Sequence, residues 1–204
     1  MVERQLRRRG IFDERVLAAM EEIPRELFVP EAGRPYAYDD APVSIGHGQT
    51  ISQPYMTALM AQSLELRGGE KVLEVGAGSG YHAAVLAALG ARVVAVELIP
   101  ELAEQARLNL EAAGRAAGVR VISGDGSLGF PEEAPYDGIS VAAGAPDIPP
   151  ALVEQLRDSG RLVIPVGARD EQELQVITKR GGKLSTRVAA ACRFVPLRGG
   201  MGWR

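Results

Sequence analysis

Apolar and polar positions follow two different rhythms along this chain. Between Asp13 and Ile23 the apolar residues recur at helical spacing behind a residue type that caps helix N-termini, which predicts a helix. A second helical pattern begins near Gln53 and continues to Leu64. Residues 31–50 carry neither rhythm, so we expect them to be irregular.

From Lys71 onward, short continuous apolar runs take over, as is typical of buried strands. Helical patterns separate these runs at residues 79–89, 100–114 and 150–157, and Pro100 is well suited to the first turn of the helix predicted at residues 100–114. Strands that alternate with helices imply parallel pairing with right-handed crossovers, so the sequence predicts a doubly wound α/β sheet. The five predicted strands are KVLEVG, RVVAVEL, VRVIS, YDGISVAA and GRLVIPVG.

The C-terminal part departs from this alternation. Two strand-like runs, ELQVITKR and KLSTRVAAACRFVPL, flank Gly181 and Gly182, which can take the positive φ angles of a tight turn. The predicted hairpin would complete a mainly parallel, seven-stranded sheet. An antiparallel hairpin at this place also separates the architecture from the plain two-halved dinucleotide fold.

Composition narrows the classes of function. Of the 204 residues, 46% are hydrophobic and 24% are charged, which suits a single domain spanning residues 1–204. The net charge of −3 gives no strongly basic face, so we expect no nucleic-acid partner. The single cysteine, Cys192, excludes an internal disulfide and fits a reducing compartment. No targeting segment and no apolar run of about 20 residues is visible, so we expect a cytoplasmic protein without a membrane span.

The first chemical motif is the glycine loop EVGAGSG, which places Gly76, Gly78 and Gly80 between a strand and a helix. Glycine lets a ligand lie against bare peptide groups, and the helix N-terminus behind it presents free N–H donors. The third glycine of the dinucleotide-binding spacing would fall at Tyr81, which disfavours close docking of a pyrophosphate. A tight turn without a ligand is the alternative for this loop alone.

Acidic residues follow the next two predicted strands. Glu97 ends the second strand, where it can accept hydrogen bonds from two ribose hydroxyls beside the glycine loop. Asp125 and Gly126 take the next position along the same edge, and Asp125 can accept from an adenine amino group unless it lies in a solvated turn. These positions indicate a nucleoside ligand. The incomplete G-x-G-x-x-G and the hairpin favour S-adenosylmethionine over NAD.

A polar segment, GHGQTISQPYM at residues 46–56, stands just before the second predicted helix. It is too polar and too rich in glycine for a core strand, yet it lacks the charges of an ordinary solvated loop. Ser52 either caps the helix or contacts a substrate. The two roles are compatible, because a helix N-terminus also attracts an anion.

Several of these stretches together resemble the protein-L-isoaspartate O-methyltransferases. The likeness extends over residues 13–197, and TISQPY is its most specific part, because a glycine loop alone indicates only a methyltransferase. The stretches that carry the resemblance are VLEVGAGSGY, VVAVE, GDG, GQTISQPYM, RELFVPE, YDGISVAAGAP, LVIPVG and RFVPL.

The resemblance implies a Rossmann-like methyltransferase fold, with an N-terminal helical and substrate-side segment at residues 1–66. Residues 67–204 would form the cofactor-binding core and the C-terminal hairpin. It implies methyl transfer from S-adenosyl-L-methionine, with S-adenosyl-L-homocysteine as product, to the free α-carboxyl of L-isoaspartyl residues in damaged proteins and peptides. The ester then cyclises to a succinimide, which initiates repair. We expect a monomer that uses no metal.

The resemblance also implies roles for individual residues. Ser52 matches the family's active-site serine, whose hydroxyl can hold the substrate carboxylate in line, and Thr50 and Tyr55 would contribute on the substrate side. An NAD(P)-dependent oxidoreductase and a non-catalytic nucleoside-binding protein are the alternatives. The expected cofactor-binding residues are Gly76, Gly78, Gly80, Glu97, Asp125 and Gly126.

Overall fold

The computed structural model of the protein describes residues 1–203. Its strands are β1 (Val43–Gly46), β2 (Gln49–Ile51), β3 (Lys71–Val75), β4 (Arg92–Glu97), β5 (Val119–Ser123), β6 (Tyr136–Val141), β7 (Leu156–Gly167), β8 (Gln172–Arg180) and β9 (Lys183–Cys192). Its α-helices are α1 (Glu14–Glu22), α2 (Pro54–Leu64), α3 (Tyr81–Ala88), α4 (Pro100–Ala112) and α5 (Pro150–Gln155). Short helical turns include Val2–Leu6, Arg7–Arg9, Arg25–Phe28 and Glu31–Tyr36.

The main sheet has seven strands in the order β5-β4-β3-β6-β7-β8-β9. The pairs from β5 to β7 are parallel, whereas β8 and β9 are antiparallel to their neighbours. The predicted fold is therefore confirmed, including the terminal hairpin with positive φ angles at Gly181 and Gly182. Because β3 connects to β4 on one side and pairs with β6 on the other, a crevice forms at the carboxyl ends of these strands.

The parallel strands are covered on both faces, which explains their continuous apolar sequences. Val72 packs in one core cluster, and its neighbour Leu73 packs in the other. Helices α1 to α4 contribute side chains to the first cluster, and α5 contributes to the second. The N-terminal helices thus pack on the same face of the sheet as α3, next to the crevice.

The N-terminal third holds one confirmed and one wrong prediction. Asp13 caps α1, since its side chain accepts a hydrogen bond from the Arg15 amide. Residues 31–50 are not wholly irregular: β1 and β2 form a small antiparallel hairpin. Its turn, at residues 46–48, consists of positions with positive φ angles, which two glycines supply easily.

Three element boundaries also differ from the sequence pattern. Helix α3 starts at Tyr81 because Gly80 before it is left-handed, with φ 88°. Strand β7 begins at Leu156, directly after α5. Strand β9 ends at Cys192, so the run RFVPL lies beyond the hairpin, where Pro196 forms an isolated bridge with Gly144. Among residues 1–203, no helix combines the length and apolar character that a membrane crossing requires.

Candidate active site

A pocket opens at the carboxyl ends of β3, β4 and β6. Open parallel sheets bind ligands at such an edge. Three further parts of the chain reach it, namely residues 49–52, Thr57 and Met60 of α2, and residues 195–198 beyond β9. The glycine loop and the polar segment before α2 therefore line the same pocket, although helix α2 and strand β3 separate them in the sequence.

The glycine loop after β3 has a backbone that suits glycine. Gly76, Gly78 and Gly80 have φ angles of 84°, 55° and 88°. Gly76 and Gly78 line the pocket, where they leave peptide groups uncovered. A Cβ atom at Gly80 would lie 3.2 Å from the carbonyl oxygen of Ala106 in α4, so Gly80 serves the close packing of two helices.

Glu97 lies beside this loop at the end of β4. Its Oε2 accepts the Gly78 N–H at 2.8 Å, and its Oε1 accepts the Ile99 N–H at 3.0 Å. The side chain is buried and lines the pocket. Because an ionised carboxylate has about four acceptor positions, each oxygen retains capacity for a ligand hydroxyl.

Asp125 is held by the C-terminal segment. Its Oδ2 accepts the Gly200 N–H at 2.7 Å, and its Oδ1 accepts both the amide and the hydroxyl of Ser127. Burial would raise the pKa of Asp125, but the hydrogen bonds from Ser127 and Gly200 together hold it below its usual value. Gly126 lines the pocket. The contact with an adenine amino group therefore stays a prediction for Asp125, whose oxygens already accept three hydrogen bonds.

The C-terminal segment bridges the ends of β5 and β6. Met201 donates its amide to Ser127 Oγ at 3.0 Å, and Trp203 donates its indole N–H to the Gly144 carbonyl at 2.9 Å. The sequence left the role of this segment open, because its contacts join residues about 60 to 75 positions apart in the chain. These contacts hold the end of the chain next to residues 195–198, which line the pocket.

Ser52 precedes α2 without capping it. The residue at the cap position is Gln53, and no side chain within the described part of the chain makes a capping hydrogen bond there. The capping interpretation of Ser52 is therefore wrong. Ser52 is half-buried and lines the pocket, and its carbonyl oxygen accepts Nη2 of Arg25 at 2.7 Å.

The two other predicted substrate-side residues differ in position. Thr50 is exposed in β2 and lines the pocket next to Ser52. Tyr55 stands in the first turn of α2, and its ring is covered by the Arg9 guanidinium, 3.7 Å from the ring centroid. Arg9 also forms an ion pair with Asp40. Tyr55 thus packs against the helical turn Arg7–Arg9 and is not among the residues that line the pocket.

A buried polar cluster lies under the pocket, and the sequence reasoning missed it. Glu74 of β3 and Ser140 of β6 are register partners, so their side chains share one face of the sheet. His82 Nε2 lies 2.9 Å from Ser140 Oγ. Within residues 1–203, neither Glu74 oxygen has a hydrogen-bond partner, and the same holds for His82 Nδ1. The acid inside the apolar run KVLEVG was the signal that could have revealed this cluster.

Burial sets the ionisation of this cluster. It raises the pKa of Glu74 well above the usual value, and the negative charge of Glu97 adds to the shift. It lowers the pKa of His82 to about 4, so the imidazole is neutral at pH 7. Both side chains line the pocket. The pocket floor therefore offers a carboxyl group without a partner, which fits a cationic ligand group.

No group of three or more histidine, cysteine, aspartate or glutamate side chains within residues 1–203 is arranged to hold a metal ion.

Comparison with known proteins identifies similar chains. The profile of the family described as protein-L-isoaspartate(D-aspartate) O-methyltransferase matches residues 1–202. A protein-L-isoaspartate O-methyltransferase of Methanoculleus marisnigri is 54% identical over 204 residues, which cover 100% of this chain and 92% of the relative. The enzyme of that name from Hyperthermus butylicus is 54% identical over 215 residues, covering 100% of this chain and 89% of the relative.

A solved structure is similar over nearly the whole fold. It is a Plasmodium falciparum protein described as a protein-L-isoaspartate O-methyltransferase, in complex with S-adenosyl-L-homocysteine. The two chains share 29% identity with a TM-score of 0.86, over 97% of this chain and 96% of the other.

Proposed function

The chain belongs to the protein-L-isoaspartate(D-aspartate) O-methyltransferase family, and from that premise we propose that both substrates meet in the pocket between the glycine loop and Ser52. The family's activity is S-adenosylmethionine-dependent methylation of isoaspartyl residues in proteins, which serves protein repair. Membership of this family favours the methyltransferase interpretation over an NAD(P)-dependent oxidoreductase and over a non-catalytic nucleoside-binding protein. The observation that carries the proposal is that Ser52 and the glycine loop line one pocket.

The residues of the pocket fit S-adenosylmethionine. The partnerless carboxyl of Glu74 suits the ammonium of the methionine part, and the spare acceptor positions of Glu97 suit ribose hydroxyls. Gly76 and Gly78 provide uncovered backbone in the pocket lining, and Gly126, where a Cβ atom would lie 2.7 Å from Val75 Cγ1, lines the pocket as well. When bound, the cofactor supplies a methyl group on a positively charged sulfur.

The acceptor needs orientation more than activation. A carboxyl group with an ordinary pKa of about 4 is already an anion at neutral pH, so no general base is required. Ser52 would donate its hydroxyl hydrogen to one carboxylate oxygen and leave the other directed at the methyl group. Thr50 borders the same position. Transfer joins an anion to a cation, so a site that aligns the groups and excludes water supplies most of the rate.

We further propose a single domain that acts as a cytoplasmic monomer without a nucleic-acid partner. The core cluster that contains Met20 and Met60 of the N-terminal segment also contains Val72 and Leu102, which supports one folding unit across residues 1–66 and 67–204. The single Cys192 supports a reducing compartment. The net charge of −3 argues against a nucleic-acid surface.

The experiment that tests the activity is transfer of labelled methyl groups to an isoaspartyl peptide, with the matched aspartyl peptide as control. We expect base-labile methyl ester on the isoaspartyl peptide and none above background on the aspartyl peptide. In an isoaspartyl residue the chain continues through the β-carboxyl, so the α-carboxyl of that residue is free, whereas an aspartyl residue has a free β-carboxyl instead. Equal labelling of both peptides would contradict the proposed acceptor.

Glu97→Ala is expected to weaken S-adenosyl-L-homocysteine binding about tenfold, which is the effect of losing one charge-assisted hydrogen bond. The alanine cannot accept hydrogen bonds from the ribose hydroxyls, and it cannot accept the hydrogen bond that Glu97 accepts from the Gly78 N–H. Calorimetric titration measures the affinity. Glu101→Ala is the control, because Glu101 is exposed in the first turn of α4. Unchanged affinity in Glu97→Ala would remove the ribose role.

A further inference from the structure

Arg25 is a fully buried arginine that contacts two residues of the pocket lining, Ser52 and Tyr81. Its side chain has 0% exposure, in the short helical turn Arg25–Phe28. Nε donates to the Ala37 carbonyl at 2.6 Å, and Nη2 donates to the Ser52 carbonyl at 2.7 Å. The guanidinium carbon lies 4.7 Å from the ring centroid of Tyr81.

The contacts of Arg25 reach both sides of the pocket. Ser52 belongs to the segment that lines the substrate side, and Tyr81 is the first residue of α3, directly after the glycine loop. Both residues line the pocket. A rigid, planar guanidinium that bonds one and stacks on the other fixes their separation, which a flexible lysine would do less well.

Arg25 is an expensive residue if its role is only to fill the core. Burial of a guanidinium costs stability unless an acid or several acceptors compensate it. Within residues 1–203, no carboxylate forms a salt bridge with Arg25, and its Nη1 has no hydrogen-bond partner. An apolar side chain of similar volume would fill the space at lower cost. Arg25 is therefore distinguished by where its contacts lie, because Ser52 and Tyr81 both line the pocket.

We propose that Arg25 is a positioning residue, which holds the backbone of Ser52 so that the serine hydroxyl faces the methyl donor bound at the glycine loop. The proposal rests on the substrate role of Ser52 proposed above. Arg25 acts through Ser52 and does not itself touch the acceptor. Misplacement of an aligned group by about 1 Å can lower a rate about 10²-fold, so a partial loss of this anchor should be visible in kinetics.

Arg25→Met is the principal variant, since it keeps a long apolar side chain and removes both carbonyl contacts. We expect kcat/KM for an isoaspartyl peptide to fall about tenfold, while the S-adenosyl-L-homocysteine dissociation constant changes less than about threefold. Arg25→Lys is the second variant, in case the first fails to fold. A lysine retains the charge but cannot donate to both carbonyls in the fixed geometry of a guanidinium.

Arg15→Met is the matched control. Arg15 also bridges two backbone carbonyls, with Nη1 donating to Leu66 at 2.7 Å and Nη2 donating to Leu89 at 2.5 Å. Neither carbonyl belongs to a residue of the pocket lining. We expect Arg15→Met to lower the melting temperature but to leave kcat/KM within about twofold of the parent. Hydrogen exchange should quicken at residues 50–53 in the Arg25 variants only.

A double-mutant cycle with Ser52→Ala separates positioning from general structural damage. If Arg25 acts through Ser52, Arg25→Met should cost about tenfold in the parent and less than about threefold in the Ser52→Ala background. Equal losses in both backgrounds, or a fall in cofactor affinity matching the fall in kcat/KM, would overturn the role of Arg25 and leave that of Ser52 intact. Folded Arg25→Met and Arg25→Lys proteins with parental kcat/KM would overturn it as well. A Ser52→Ala variant with parental activity would instead overturn the proposed function of Ser52.

Discussion

Ser52→Ala is expected to lower kcat/KM for an isoaspartyl peptide about 10²-fold, while the affinity for S-adenosyl-L-homocysteine stays nearly constant. The hydroxyl would donate a charge-assisted hydrogen bond to the acceptor carboxylate, and such bonds contribute about 1.5–3 kcal/mol. Ser52 lines the pocket, and the N-terminus of α2 carries no side-chain cap that its loss could disturb. The variant should therefore fold normally.

Steady-state kinetics with the peptide and calorimetry with the cofactor product measure the two quantities separately. Ser44→Ala is the matched control, because Ser44 is the register partner of Thr50 in the same hairpin and is exposed away from the pocket lining. It should retain parental kinetics. Ser52→Thr, which keeps a hydroxyl, should recover part of the loss. Parental activity in Ser52→Ala would reduce Ser52 to a backbone element of the pocket.

The fold was predictable from the sequence because its signals are local. The parallel strands read as continuous apolar runs, and Val72 and Leu73 show why, since they pack into cores on opposite faces. Gly181 and Gly182 marked the hairpin through their backbone requirement. The hairpin of β1 and β2 was missed, although glycines at both ends of its turn gave a comparable signal.

The site was only partly predictable, because its key contacts join distant parts of the chain. The hydrogen bond of Asp125 with Gly200 spans 75 positions, and that of Arg25 with Ser52 spans 27. No spacing rule reveals such pairs. The buried state of Arg25 runs against the usual exposure of arginine, so composition and periodicity gave no warning of it. Glu74 differs, since an acid within a buried apolar strand is visible in the sequence itself.

Glu74→Gln is expected to weaken cofactor binding about 10²-fold or more and, unusually, to stabilise the free protein. In the complex, the ionised carboxylate would face the cofactor's ammonium, and loss of one partner of a buried ion pair costs about 3–5 kcal/mol. In the free protein the same carboxyl lies buried without a partner. Replacing it with a neutral amide removes the cost of ionising a buried group, so the free energy of unfolding at neutral pH should rise.

The pH dependence of stability gives this prediction a second, independent sign. Burial and the charge of Glu97 raise the pKa of Glu74 above its unfolded value of 4.5. Above pH 4.5 the unfolded chain therefore binds fewer protons at this group than the folded chain, so stability falls as the pH rises from 4.5 toward the folded pKa. Glu74→Gln should remove that decline from urea-unfolding curves measured without cofactor, whereas Glu173→Gln, at an exposed carboxylate of β8, should retain it.

Proton counting by calorimetry completes the test of Glu74. Because the carboxyl is harder to ionise in the free protein, binding of an ammonium-bearing ligand should release protons below the raised pKa of Glu74. The heat of binding would then depend on the ionisation enthalpy of the buffer in the parent and not in Glu74→Gln. A Glu74→Gln protein that binds the cofactor product as tightly as the parent would show that the ammonium lies elsewhere. The buried carboxyl of Glu74 would then lower the stability of the free protein without contributing to cofactor affinity.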